Sequence, residues 1–375
     1  MKIIIHALGA NMGGAIRHLN NFIPVLMETD KHHQYVLILR KDIKFDIRDD
    51  ALRIVKIPKS LGANFFLRTI FDVLYLPFYA IKVKADLVVS LLNFGPIFCT
   101  KSHINFQRNS LYFCNYYLDN ITGSEILFTR LRSALLYLTM KFADVIVTPS
   151  ISMIEQIKTR YPSLSNKKYR TIHHGFKSGD KDFINSKWER ILKAETRIKL
   201  LYPTHAARHK AFEILFEALS KLKASTANFV LFATISNADW PDGFKKYKLM
   251  IKSLDIENNV IFTGRIPQDE IKVFYKNCDI MVYPSLCESF GFSMIEAMGY
   301  GLPIVAADTP INKEICKEAA LYYSPSDPSD AAKKILKSFD KAVRDNLINE
   351  AKKRVTSYDW SWERYTKQFI SLINL

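Results

Sequence analysis

Short apolar runs alternate with longer amphipathic stretches along almost the whole chain, and this alternation limits the fold more than any other feature. Lys2–Ile5, Tyr35–Leu39, Arg53–Ile57, Asp86–Leu91, Ile104–Phe106 and Asp144–Val147 read as buried strands. Ile16–Glu28, Arg130–Phe142 and Ser152–Arg160 read as helices between or after them. Strand, helix, strand in regular order predicts a parallel sheet covered on both faces. Such sheets take their ligands beyond the carboxyl ends of the strands.

The pattern pauses over residues 161–199, which are polar and charged. A second series then follows, with strands expected at Ile198–Tyr202, Phe229–Ala233, Val260–Phe262, Ile280–Tyr283 and Pro303–Ala306. Helices are expected at Ala211–Leu222, Asp269–Asn277 and Ser293–Gly299. The fold class predicted is therefore α/β, with two doubly wound, Rossmann-like domains joined near residue 180. A chain of 375 residues suits two domains. The expected division is 1–178, the acceptor-side domain that the resemblance described below implies, 179–355, the nucleotide-sugar-binding domain it implies, and a C-terminal helix over 356–375. That helix, within "YDWSWERYTKQFISLINL", is expected to pack back on the first domain, a plain terminal core helix being the other reading.

Bulk properties exclude several classes. Hydrophobic residues make up 48%, too many for a disordered chain. No apolar run reaches the roughly 20 residues that span a bilayer. The start, Met1 to His6, reads as a buried strand and not as a signal peptide. A cytoplasmic location is expected, with peripheral attachment to the inner face of the cell membrane. Five scattered cysteines include no CxxC pair, so free thiols are expected, with neither a zinc site nor a disulfide framework. Net charge is +16, and residues 1–180 carry 24 Lys and Arg against 13 Asp and Glu. That excess points to an anionic partner of the first half.

The chemistry concentrates in "CESFGFSMIEAMGYGLPIVAAD", Cys287 to Asp308. Gly291 lets the backbone approach a ligand. Ser293 is a plausible N-cap for the following helix, with Glu296 as its capping-box partner. Amides at that helix start suit a diphosphate. Glu288 and Glu296 have seven residues between them, and carboxylates accept hydrogen bonds from paired hydroxyls. Amides for a diphosphate and acids for hydroxyls describe a nucleotide sugar. A purely structural Glu296 and a solvated Glu288 remain the alternative at this level.

The stretch "VYPSLCESFGFSMIEAMGYGLPIVAAD" resembles the retaining glycosyltransferases of family 4, whose GT-B fold sets two Rossmann-like domains across a central cleft. Their signature is Glu, seven residues, Glu, then Ala-Met and Gly-x-Pro-hydrophobic-Val; Glu288, Glu296, Ala297, Met298, Gly301, Pro303 and Val305 supply it. The similarity continues in "VIFTGRIPQDEIKVFYKNCDI" and "EICKEAALYYSPSD", and more loosely in "GGAIRHL" and "FADVIVTPSISMIEQI". It implies a hexosyltransferase dependent on a nucleoside-diphosphate sugar. Glu288 would be the catalytic residue, contacting the donor sugar's hydroxyls, and Glu296 would bind the ribose. Gly291, Phe292 and Ser293 would meet the sugar or diphosphate through their backbone. The family's Arg–Lys pair falls on "YPTHAARHKAFEILFEAL", where Lys210 takes the lysine's place, His205 stands for the arginine and Arg208 is close by. Gly13 and Gly14 would face the diphosphate from the first domain. The family's mid-domain histidine is absent after "HINFQ", with His103 ahead of that strand and Arg108 and Asn109 beyond it, so no role is carried over there.

No metal or other cofactor is expected, because cations and amides can meet the charge on the leaving diphosphate. The one Asp-x-Asp triplet, Asp180-Lys181-Asp182, lies in the polar interval and reads as solvated. The implied partners are a nucleoside-diphosphate sugar, a glycan or lipid-linked acceptor in surface polysaccharide or lipopolysaccharide synthesis, and an anionic membrane surface. The apolar segment Leu61–Leu87, flanked by Arg68, Lys82 and Lys84, is either core or lipid-facing. The alternative function is a basic polyanion- or nucleic-acid-binding protein on the same scaffold without transferase activity. No nucleic-acid-binding motif supports it, so no nucleic acid is expected.

Overall fold

The computed structural model describes residues 1–10, 13–176, 187–225, 227–267 and 269–374. The chain forms two compact units, Met1–Gly175 with Trp360–Leu375, and Phe176–Asp359. These limits compare with expected boundaries at 178/179 and 355/356.

The first unit is built on a seven-stranded parallel sheet. Its strands are β1 (Lys2–His6), β2 (Gln34–Arg40), β3 (Leu52–Ile57), β4 (Leu87–Ser90), β5 (Ser102–Phe106), β6 (Val145–Thr148) and β7 (Lys168–Thr171). They lie in the order β3-β2-β1-β4-β5-β6-β7, so the winding reverses between β1 and β4. Both faces are covered, which explains the unbroken apolar runs. Ile3 and Ile5 enter one core with Leu37, Leu39 and Val89. Ile4 enters the opposite core with Val36, Ile38 and Val88. Alternation by two thus feeds two cores from one strand.

The Gly13–Thr29 helix buries Leu19, Phe22, Ile23 and Leu26 in the first of these cores. The C-terminal Trp362–Ile373 helix adds Tyr365, Phe369, Leu372 and Ile373 to it. Phe22 and Phe369 meet edge to face with centroids 4.9 Å apart. Ser361 caps this last helix by accepting from the Arg364 amide.

The second unit holds a six-stranded parallel sheet of β8 (Ile198–Tyr202), β9 (Phe229–Ala233), β10 (Val260–Phe262), β11 (Ile280–Tyr283), β12 (Ile304–Ala307) and β13 (Ala320–Tyr323). The order is β10-β9-β8-β11-β12-β13, with the reversal between β8 and β11. Both units are therefore doubly wound.

Two details correct the sequence reading. The edge strands β7 and β13 were not expected; each is partly exposed, which breaks the apolar run that marks a buried strand. His103 lies within β5 and not ahead of it, buried, with Nε2 2.9 Å from the Ser90 hydroxyl. Cys99, Cys278 and Cys316 are free thiols, as expected.

Among the described residues, no helix is long and apolar enough to cross a membrane. The segment after Leu61 forms helices Phe65–Ile70 and Leu76–Lys82, linked by a π-helical turn over Phe71–Tyr75. One side sends Phe71, Leu76, Tyr79 and Ala80 into the core. The other leaves Phe66, Ile70, Leu74, Phe78 and Ile81 exposed. The core reading thus holds for one side of this segment, and the other side is exposed.

Candidate functional site

The carboxyl ends of β8 and β11 lie side by side at the winding reversal of the second unit. The loop after β8 closes in a 3-10 turn over Arg208–Lys210. Ala211 follows in the left-handed region, φ 50°, and turns the chain into the Phe212–Ala224 helix. Only a tightly held backbone keeps a non-glycine residue there. Part of that hold is visible: the Tyr202 hydroxyl donates to the Lys210 carbonyl at 2.9 Å. The Leu286 amide donates to the His209 carbonyl at 3.2 Å and joins this loop to the one after β11.

The two loops meet in an ion pair. Lys210 Nζ lies 2.5 Å from Glu288 Oε1, with only 9% and 13% of the two side chains exposed. Tyr283 and Ser285 also hydrogen-bond to Glu288. Burial alone would push this carboxyl up. The Lys210 ammonium and the hydrogen bonds outweigh it and hold Glu288 at about 2. His209 is driven the other way, to about 3, by burial and then by Lys210. At neutral pH the His209 ring is uncharged, so cationic charge near Glu288 comes from Lys210 and, farther along the turn, Arg208.

Glu296 sits on the Phe292–Gly299 helix and is 6% exposed. The Tyr275 hydroxyl donates to its Oε2 at 2.9 Å. Tyr275, from the Ile271–Asn277 helix, stacks on Tyr300 with centroids 5.7 Å apart. The expected capping box does not form. The helix begins after Gly291, whose φ of 82° makes the turn without a side-chain cap. Ser293 already lies within the helix, and its hydroxyl donates to the Pro203 carbonyl at 3.4 Å. A Cβ on Gly291 would lie 2.3 Å from Met294 Cε, the movable end of a side chain, so it is the positive φ that calls for glycine there. The Phe292 ring stands edge-on to Phe290.

Of the ten residues singled out from sequence, eight belong to this part of the second unit. Lys210 and Glu288 touch directly. Gly291, Phe292, Ser293 and Glu296 follow Glu288 on one loop and helix. Arg208 lies over the Trp240 ring, its guanidinium carbon 5.6 Å from the centroid. The rings of His205 and His209 are 6.0 Å apart. Gly13 and Gly14 open a helix of the first unit, and a Cβ on Gly14 would meet nothing within 4 Å. Asp180, Lys181 and Asp182 lie outside the described residues. Tyr275, Tyr283 and Ser285 were missed. All three stand inside the motifs quoted above, yet tyrosine and serine beside an apolar strand carry no signal of what they will bond.

Residues 184–354 match the family described as Glycosyl transferases group 1. The chain is 25% identical over 253 residues to the uncharacterized glycosyltransferase MJ1607 of Methanocaldococcus jannaschii, covering 64% of this chain and 63% of that one. It is 35% identical over 78 residues to the O-antigen chain mannosyltransferase RfbU of Salmonella typhimurium, covering 21% and 22%. These matches span less than two thirds of either relative. Among solved structures, HepE of Anabaena, in complex with UDP and glucose, superposes with a TM-score of 0.71 at 16% identity, over 100% of this chain and 99% of that one. The fold of this chain is thus GT-B, and residues 184–354 of its second unit are similar to the group 1 glycosyl transferases.

Proposed function

We propose that the protein is a retaining glycosyltransferase that moves a hexose-type sugar from a nucleoside-diphosphate sugar to a glycan or glycolipid acceptor in surface polysaccharide or lipopolysaccharide synthesis. The observation that carries this reading is the buried Lys210–Glu288 pair at the winding reversal of a unit similar to the group 1 glycosyl transferases. A structural ion pair would have no need of that place; a donor site would. When a diphosphate arrives, Lys210 can turn to it, and Glu288 is released to accept from the sugar hydroxyls. Glu296, oriented by Tyr275, takes the ribose hydroxyls in the same reading.

The bond between the anomeric carbon and the diphosphate oxygen breaks, with its electron pair leaving on the diphosphate. The acceptor oxygen bonds to the same face, and its proton passes to the departing oxygen. Lys210, Arg208 and the amides at the start of the Phe292–Gly299 helix meet the developing charge. No metal is required in this scheme. Support for the polysaccharide context comes from the O-antigen mannosyltransferase relative. The basic first half and the exposed apolar row from Phe66 to Ile81 support work at the inner face of a membrane, from the cytoplasmic side.

Incubation with UDP- and GDP-sugars and a membrane lipid extract tests this. Release of nucleoside diphosphate together with a lengthened acceptor that keeps the donor's anomeric configuration is expected. Inverted product, or no transfer with any donor, would sink the reading.

A further inference from the structure

His205 stands in the loop after β8, and the backbone leading into it is pinned twice. The Ser293 hydroxyl, at the start of the Phe292–Gly299 helix, donates to the Pro203 carbonyl at 3.4 Å. The Thr234 hydroxyl, just past β9, donates to the Thr204 carbonyl at 2.8 Å. These bonds fix the chain beside His205 next to the helix start whose amides suit a diphosphate. His205 itself is exposed, so a ligand can reach it.

Charged groups from four loops act on its ring. Lys210 belongs to its own loop, Asp239 to the loop after β9, Arg265 to the one after β10 and Glu288 to the one after β11. The His209 ring, 6.0 Å away, is uncharged at neutral pH. Two cations and two carboxylates thus surround His205, and they already face one another. Lys210 pairs with Glu288 at 2.5 Å, and Arg265 Nη2 lies 3.8 Å from Asp239 Oδ1. Desolvation among these loops, and then the Lys210 ammonium, hold His205 below its ordinary value of 6.5. Its ring is neutral near pH 7.

The diphosphate of a nucleotide sugar brings two negative charges into this balanced cluster. With Arg208, which lies over Trp240, the fixed cations are Lys210, Arg208 and Arg265. Against them stand Glu288, Asp239 and the two charges of the ligand. Three positive charges facing four negative ones leave a deficit of one.

We propose that His205 takes up a proton as the donor's diphosphate binds, supplying that missing charge, so that donor affinity in this chain is coupled to pH. The inference rests on the transferase reading of the site. An anion beside an imidazole favours the imidazolium. The complex then holds more protons than the free protein. Affinity therefore rises as pH falls, and levels off once the free ring is itself protonated. His209 does not compete for the proton, because burial and Lys210 hold it at about 3.

Titration calorimetry of UDP-glucose, UDP-galactose and GDP-mannose into the full chain tests this, run in Hepes and in Tris. The two buffers differ in ionisation heat, so the difference in binding heat counts the protons taken up. Nucleotide sugars are used because the terminal phosphate of a bare nucleoside diphosphate titrates by itself, as phosphomonoesters do at about pH 6. For the donor that binds, the wild type should take up about 0.5–1 proton at pH 7 and lose roughly tenfold in affinity between pH 6.5 and pH 8. His205→Gln should take up none, show a flat pH profile and bind more weakly than wild type at pH 6.5. His205→Arg should also be flat, and bind more tightly than wild type at pH 8. Thermal midpoints of both variants should match the wild type, since the position is exposed. Donor binding with no linked proton, or with the same uptake in His205→Gln, overturns the inference and leaves the transferase reading standing. No binding of any of these sugars at any pH counts against the transferase reading itself and takes the inference with it.

Discussion

Lys210 Nζ and Glu288 Oε1 stand 2.5 Å apart, almost out of solvent, although 78 residues separate them in sequence. Removing one partner strands the other. Lys210→Met should destabilise the protein by about 3–5 kcal/mol at neutral pH. The double variant Lys210→Met/Glu288→Gln should recover much of that loss, because no buried charge is left alone. Chemical denaturation of the wild type and both variants checks this; a double variant less stable than the single one would contradict it.

The pair also sets a pH dependence. Glu288 is held at about 2, below its ordinary value of 4.5. A depressed carboxyl stabilises the fold above its unfolded pKa and loses that contribution as pH falls through the folded one. Between about pH 4.5 and pH 2 the wild type should therefore lose about 3 kcal/mol more than Glu288→Gln. Denaturant midpoints measured across this window would show parallel curves if the pair were unimportant.

Tyr275 acts in this account as a positioning residue for Glu296. Tyr275→Phe keeps the ring stack on Tyr300 and removes only the hydroxyl. The KM for the donor should rise about tenfold, as expected for loss of a hydrogen bond to a charged group, with kcat changed much less. A purely structural tyrosine would lower thermal stability and leave KM alone.

The C-terminal helix is part of the first unit's core. Phe369 is fully buried against Phe22 and Phe106. Phe369→Ala should cost about 3–5 kcal/mol, read from thermal or denaturant unfolding. A change below 1 kcal/mol would mean that this helix is only loosely attached.

The sheets were legible from sequence because buried parallel strands are apolar throughout, as in Ile3-Ile4-Ile5 and Phe229–Ala233. The edges β7 and β13 were not, since half of each faces solvent. Glu288, Glu296 and Lys210 were legible because charged residues beside a glycine turn stand out. Their partners were not: Tyr202, Tyr275 and Tyr283 look like core residues until the fold shows which oxygen each hydroxyl meets. The Ser293 capping box failed because Gly291, at positive φ, had already ended the turn one position before the helix. The surroundings of His205 were hidden for another reason. Asp239, Arg265 and Glu288 come from three separate loops, and only the winding of the sheet brings them to it.

The central claim is that Glu288 and Glu296 grip the two ends of a nucleotide sugar. Calorimetric titration of UDP, GDP and their sugars into the wild type, Glu288→Gln and Glu296→Gln tests it most directly. Glu288→Gln should keep its affinity for the bare nucleoside diphosphate and lose the increment due to the sugar. Glu296→Gln should bind both nucleotide and nucleotide sugar about tenfold more weakly or worse. Wild-type affinity for every ligand in both variants would contradict the account.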